Sequence, residues 1–299
     1  MACKYPYINR STLLHHKTID LEIRHLGNTA IELIVECFNT AFADYIIPFH
    51  VEVEPMRRRW SSCRVDYNLS YGAFDGDQLV GFMITGVDQW QGKKTGYNSG
   101  TGVIPAYRGQ GMVGRLYDAA IPEFRKQGIS QCTLEVIVGN DRAIKSYRRV
   151  GFLKDRRLKC FAKKHDLDLP VSKDFAIRRA EAPDWSRYRE IMEFEASWES
   201  QAAAYEALKA DCAIWELFQN EDLVGFMILK PGTGHVLQFG VADRPNWKLA
   251  AQQIWRHAFG IHPGIRMNNV DSRAQKTLAI LESVGMEPTV DQWEMKQMI

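Results

Sequence analysis

"IPAYRGQGMVGRLY", residues 104–117, decides the fold because it reads in two ways. Gly109, Gly111 and Gly114 fit the G-x-G-x-x-G fingerprint of a dinucleotide-binding turn. Arg108 to Val113 also read as R-G-x-G-x-V, a basic residue leading a glycine turn into a helix. Either reading lays an anionic group on exposed backbone N–H groups at a helix start. The first implies NAD or FAD, the second another phosphorylated carrier.

The surrounding sequence separates them. A dinucleotide fold runs its first strand straight into the first glycine and carries an acid about 20 residues on for the ribose. Here Pro105, which closes the strand "SGTGVIP", is followed by Ala106, Tyr107 and Arg108 before Gly109 is reached. The next strand's only acid, Glu135, lies inside it. Upstream, "YGAFDGDQLVGFMITGV" (71–87) is two apolar runs around Asp75-Gly76, an antiparallel hairpin signal that is out of place before a dinucleotide fingerprint. Downstream, Val113, Leu116, Tyr117, Ala120 and Phe124 share a helical face, with Pro122 near its end and Gly128 as a stop. "QCTLEVIV" (131–138) alternates as a strand, and "NDRAIKSYRRVGF" (140–152) reads as a capped helix ending at Gly151.

The chain also repeats itself. "LVGFMI" occurs at 79–84 and again at 223–228. "EIRHL" (22–26) has a partner in "AIRRA" (176–180), and "RRVGF" (148–152) in "ESVGM" (282–286). Three matches in the same order predict two copies of one fold, the second trimmed. The expected organisation is an N-terminal segment at 1–18, a first domain at 19–165, a linker at 166–174 and a second domain at 175–299. Each domain is expected to be α/β, a mixed sheet flanked by helices.

Composition narrows the class. The 299 residues are 45% hydrophobic and 25% charged with a formal net charge of +2, so no global field points to nucleic acid or an anionic membrane. The six cysteines are scattered without a C-x-x-C pair, which suits free thiols in a reducing cytosol and suggests no metal site. No apolar signal core opens the chain and no segment reaches transmembrane length, so a cytoplasmic protein is expected. Oligomeric state stays open.

The strand Thr101-Gly102-Val103, the turn Arg108-Gly109-Gln110-Gly111 and the block Asn140, Ala143, Ile144, Tyr147, Gly151, Phe152 together resemble the GNAT superfamily of N-acetyltransferases. The resemblance spans roughly residues 20–165. It implies that acetyl-CoA is the phosphorylated carrier and that an amine, small-molecule or peptide, is the acceptor. On that resemblance Gly109, Gln110, Gly111, Met112 and Val113 would hold the pyrophosphate through backbone N–H groups, with Arg108 adding charge. Thr101, Gly102 and Val103 would pair with the pantetheine arm, Asn140 would contact the carrier, and Tyr147 would protonate the leaving thiolate. The family favours Gly or Ala where this chain has Val113. Asp88, Glu135 or an ordered water is left as the base, and Ala43–Ser70 lies where the family shapes its acceptor pocket. The second copy has "DRPNWK" in place of the glycine turn, with Pro245 removing a donor, and Leu281 where Tyr147 stands. The expectation is a tandem arrangement with an active first copy and a degenerate second. The other reading of the same features is a non-catalytic acyl-CoA-binding sensor or regulatory protein.

Overall fold

The computed structural model describes residues 21–44 and 50–299; the expected N-terminal segment at 1–18 lies outside the described residues. The first half runs β1 (Glu22–His25), α1 (Ile31–Phe42), α2 (Val53–Ser62), β2 (Tyr71–Asp75), β3 (Gln78–Trp90), β4 (Lys93–Val103), α3 (Met112–Lys126), β5 (Gln131–Ile137), α4 (Asp141–Arg149) and β6 (Leu153–Lys163). The second half follows the same order: β7 (Ala176–Ala180), α5 (Trp185–Ile191), α6 (Ala202–Leu208), β8 (Ala213–Gln219), β9 (Asp222–Lys230), β10 (His235–Val241), α7 (Trp247–Ile261), β11 (Arg266–Asp271), α8 (Gln275–Ser283) and β12 (Met286–Met298). The repeated hexapeptide falls on β3 and β9. Both hairpins ahead of it need left-handed backbone, supplied by Gly76 (φ +56°) in one and by Asn220 and Glu221 (φ +49° and +66°) in the other. None of the described helices is long and apolar enough to cross a membrane.

Helix α3 follows from its sequence. Met112, Leu116, Tyr117, Ala120 and Phe124 are buried at helical spacing. Pro122 sits inside the helix. It removes a bond to the carbonyl of Asp118, an exposed residue whose carbonyl can turn to water. Helix α4 opens on Asn140, whose side chain accepts from the Ala143 N–H at 3.2 Å, and carries Arg148 and Arg149 in its last turn, matching the helix dipole.

The two halves share one sheet of 12 strands, in the order β1-β2-β3-β4-β5-β12-β6-β11-β10-β9-β8-β7. Pairing is parallel at β4–β5 and β10–β11 and antiparallel elsewhere. The last strands are exchanged: β12 lies between β5 and β6, and β6 pairs with β11. The cores follow the exchange. Met295 of β12 is buried in the first half's core, and Phe161 of β6 in the second's. Burial of such a side chain is worth about 1.5–3 kcal/mol. At the seam, Arg156 of β6 makes a bidentate pair with Glu294 of β12 (3.0 and 2.9 Å) and approaches Asp271 of β11 at 3.5 Å. All three side chains are buried. The join between the halves is also packed: Leu169 is buried, and Gln253 of α7 holds Pro170 O (2.9 Å) and the Ser172 N–H (3.0 Å).

Candidate active site

Strands β4 and β5 are in register only at Thr95–Gln131, Gly96–Cys132 and Tyr97–Thr133. Beyond Tyr97 they part, while β4 continues along β3 to Val103. Ser99 is the extra residue of a bulge at that point, between the pairs Ile84–Gly100 and Thr85–Asn98. The Ile104 N–H donates to Val80 O at 3.0 Å. By strand alternation Thr101 and Val103 therefore turn their N–H and C=O groups toward the side β5 has left. Gly102 is required here, because a Cβ would come within 2.7 Å of the Phe82 ring and 2.9 Å of Ala41.

The glycine turn follows directly. Gly109 (φ +81°) and Gly111 (φ +70°) are left-handed, and Gly111 caps α3. A Cβ built at Gly109, Gly111 or Gly114 would meet no atom within 4 Å, so the space over the turn is open. The first N–H groups of α3 have no intrahelical partner, and such a turn suits a phosphate. Met112 is buried and Val113 packs partly buried against the same core, so both offer this turn their backbone. Arg108 does otherwise than expected. Its guanidinium is bound to Asp44 (2.6 and 2.7 Å), Ala41 O (2.9 Å) and Val103 O (3.0 Å). The bond to Arg108 holds the Asp44 carboxyl below its usual range. Arg108 thus staples the end of α1 to the end of β4, its charge already matched by Asp44.

Asn140 serves as the cap of α4, about two turns before Tyr147 on the same helix. Tyr147 is half-buried, its ring edge-on to Phe152 at 5.9 Å; Phe152 meets Tyr117 at 5.4 Å. Asn98 Nδ2 reaches both the Tyr117 hydroxyl (2.8 Å) and Thr101 Oγ1 (2.7 Å). A continuous chain of contacts therefore links Tyr147 to the open stretch of β4.

Where β4 and β5 part, the Tyr97 hydroxyl donates to Glu135 Oε2 at 2.5 Å. The Glu135 carboxyl is pushed up to about 8, first by burial and then by the negative charges of Glu199 and Glu294. The residue is nonetheless partly exposed. Asp88, the other carboxylate considered from sequence, is engaged by Arg64 at 3.0 Å and by the Gln89 N–H at 2.7 Å. Three residues of this centre carry no sequence signal: Tyr97, and Trp198 and Glu199 from the second half. Trp198 lies flat on Tyr97, with ring centroids 5.0 Å apart and planes at 12°, and Glu199 pairs with Arg59 of α2 at 2.7 Å.

The corresponding opening in the second half is filled by its own chain. Strands β10 and β11 pair at His235–Arg266 and Val236–Met267. Beyond them, residues 192–200 occupy the gap. Glu193 accepts from the N–H groups of Lys276 (2.9 Å) and Thr277 (2.6 Å) at the start of α8. Asn269 Nδ2 donates to Ser197 Oγ (3.2 Å), and Gln238 Nε2 to Ser200 O (2.6 Å). The space left is about 10 Å³, room for about one water. Leu281, at the place of Tyr147, is fully buried in the second core.

Residues 31–152 match the model of the acetyltransferase (GNAT) family. N-alpha-acetyltransferase 30 of Schizosaccharomyces pombe is 32% identical over 90 residues, 30% of this chain and 60% of that protein. Mycothiol acetyltransferase of Propionibacterium freudenreichii is 28% identical over 138 residues, 46% of this chain and 44% of that one. The chain spans about half the length of the curated relatives it matches. Among solved structures, a GCN5-related N-acetyltransferase from Sphaerobacter thermophilus superposes with a TM-score of 0.68 at 14% identity, covering 93% of this chain and 95% of that one. A tandem GNAT protein from the clavulanic acid biosynthesis pathway gives 0.66 at 14% identity, covering 93% and 98%. At these identities the likeness to solved structures is one of fold.

Proposed function

We propose, from the match of residues 31–152 to the acetyltransferase (GNAT) family, that the chain transfers the acetyl group of acetyl-CoA to a primary amine, at one site in its N-terminal half. The observation that carries this reading is the parting of β4 from β5 beside the open glycine turn, with the Tyr97–Glu135 pair at the fork. Acetyl-CoA would supply an activated acetyl thioester. Backbone N–H groups of Gly109, Gln110, Gly111, Met112 and Val113, at the positive end of α3, would hold its pyrophosphate. Thr101, and Val103 through its N–H, would face the pantetheine arm, with Gly102 bonded back to β3, and the Val103 N–H would meet the developing oxyanion, a contact typically worth about 10²–10³ in rate. Asn140 would lie along the carrier. Glu135, with its carboxyl raised to about 8, is matched to taking a proton from an ammonium near neutral pH. Tyr147 would give its proton to the departing sulfur, a phenol of pKa about 10 facing a thiolate of similar basicity. The second half, its own opening filled, would bind no acetyl-CoA. A cytoplasmic location is supported by Cys37, Cys63, Cys132, Cys160 and Cys212 standing as free thiols.

Calorimetric titration with acetyl-CoA tests the reading, with NAD as the control. A ratio near one per chain and no binding of NAD are expected. Two equivalent acetyl-CoA sites, or preference for NAD, would reject it. Binding without thiol release from any amine would instead mark an acyl-CoA sensor.

A further inference from the structure

The second half reaches the first at the fork itself, through the segment that follows α5. Trp198 is fully buried there, between the Tyr97 ring on one side and the Arg64 guanidinium 4.4 Å from its ring centroid. Its indole Nε1 donates to Cys63 O at 2.9 Å. Gly86 of β3 makes the approach possible: a Cβ there would lie 2.1 Å from Cys63 O and 3.5 Å from the indole. The next residue, Glu199, is pinned by Arg59 at 2.7 Å. The same segment is anchored behind by Glu193, Ser197 and Ser200 in the second half's filled opening.

We propose that Trp198 and Glu199 of the C-terminal half are positioning residues of the N-terminal site, holding the Tyr97–Glu135 pair in place and setting the charge it faces. The inference rests on the reading of Glu135 as proton acceptor. The indole fixes the plane of the Tyr97 ring, and so the direction from which its hydroxyl donates to Glu135. Glu199 places a carboxylate near Glu135 that the Tyr97 bond alone would not provide. The groups around Glu135 are Tyr97 from β4, Glu294 from β12, Arg156 from β6, and Glu199, backed by Arg59 and Cys63 of α2 and its cap. Both carboxylates that raise Glu135, Glu199 and Glu294, come from the second half. A copy that has lost its own opening is thereby retained as the frame of its neighbour's acid–base centre. The filled opening is what anchors the segment.

The full-length chain, without substrate, is labelled with carboxyl-¹³C glutamate, and the Glu135 signal is identified by its loss in Glu135→Gln. In Glu199→Gln, which keeps shape and removes charge, the Glu135 titration midpoint should fall by about one pH unit, the scale of one nearby charge. In Arg59→Gln, Glu199 loses the partner that keeps it ionised against its burial, so it takes up a proton, its charge beside Glu135 is lost, and the midpoint should again fall. Thermal melts check folding, and Arg59→Gln carries the test if Glu199→Gln does not fold. A midpoint unmoved in the folded variants overturns the inference. With an amine acceptor in hand, the acid limb of kcat/KM should move with the same sign. If the midpoint moves but no amine releases thiol from acetyl-CoA, the positioning role stands and the acetyl-transfer reading falls.

Discussion

Replacing Glu135 with Gln should make the chain more stable at alkaline pH while impairing its chemistry. The folded protein holds this carboxyl at about 8 instead of its ordinary 4.5. Fully expressed, that difference would penalise the ionised folded state by at most about 5 kcal/mol. Glu135 keeps some contact with water, and solvent screening reduces the expected value to about 2 kcal/mol. The sign follows from proton binding. Below about 4.5 the carboxyl is neutral in both states and costs nothing. As pH rises the unfolded chain ionises first, so the penalty grows through the window from 4.5 to about 8 and is constant above it. The amide of Gln carries no such penalty, and its oxygen still accepts from the Tyr97 hydroxyl. Urea titrations of both proteins at pH 5 and pH 9 measure this directly. The variant's advantage should be larger at pH 9, by about 2 kcal/mol. An advantage that does not change with pH, or wild type gaining at pH 9, would refute the assignment of a strained carboxyl at the fork.

Tyr147→Phe leaves the ring packed on Phe152 and should lower kcat by about 10²–10⁴-fold; calorimetry should find acetyl-CoA affinity held. Unchanged kcat where chemistry limits the rate would return Tyr147 to packing. Arg108→Ala removes the clamp between α1 and β4, so the melting temperature should drop and acetyl-CoA should bind more weakly through a loosened turn. Equal melting and affinity would show the clamp to be idle. Deleting residues 286–299 removes β12 from between β5 and β6, and both halves should lose cooperative unfolding by circular dichroism. A cooperative first half in that truncation would contradict the exchanged-strand topology.

The elements of the fold were legible because they are written locally. The hairpin at Asp75-Gly76, the glycine turn and the cap at Asn140 each depend on residues a few positions apart, and the repeat shows that the set occurs twice. The exchange of β6 and β12 was not legible. Each strand follows a helix and a left-handed glycine, Gly151 or Gly285, and nothing in a strand's own pattern says which half's edge it joins. Arg108 illustrates the same limit at the site. Its place before the turn suggests an anion, but Asp44, brought close by α1, takes its charge first. Glu135 could be suspected and not chosen. Its environment is made by Tyr97, Trp198, Glu199 and Glu294, which meet only after both halves have folded.

Thiol release from acetyl-CoA, followed across a panel of primary amines with wild type, Glu135→Gln and Tyr147→Phe side by side, tests the proposed function most directly. At least one amine should give turnover in the wild type. Glu135→Gln should lose most of it near neutral pH, and Tyr147→Phe should be slowed without weaker acetyl-CoA binding. Turnover equal in all three proteins, or none in any despite tight acetyl-CoA binding, would contradict an acetyltransferase centred on Glu135 and Tyr147.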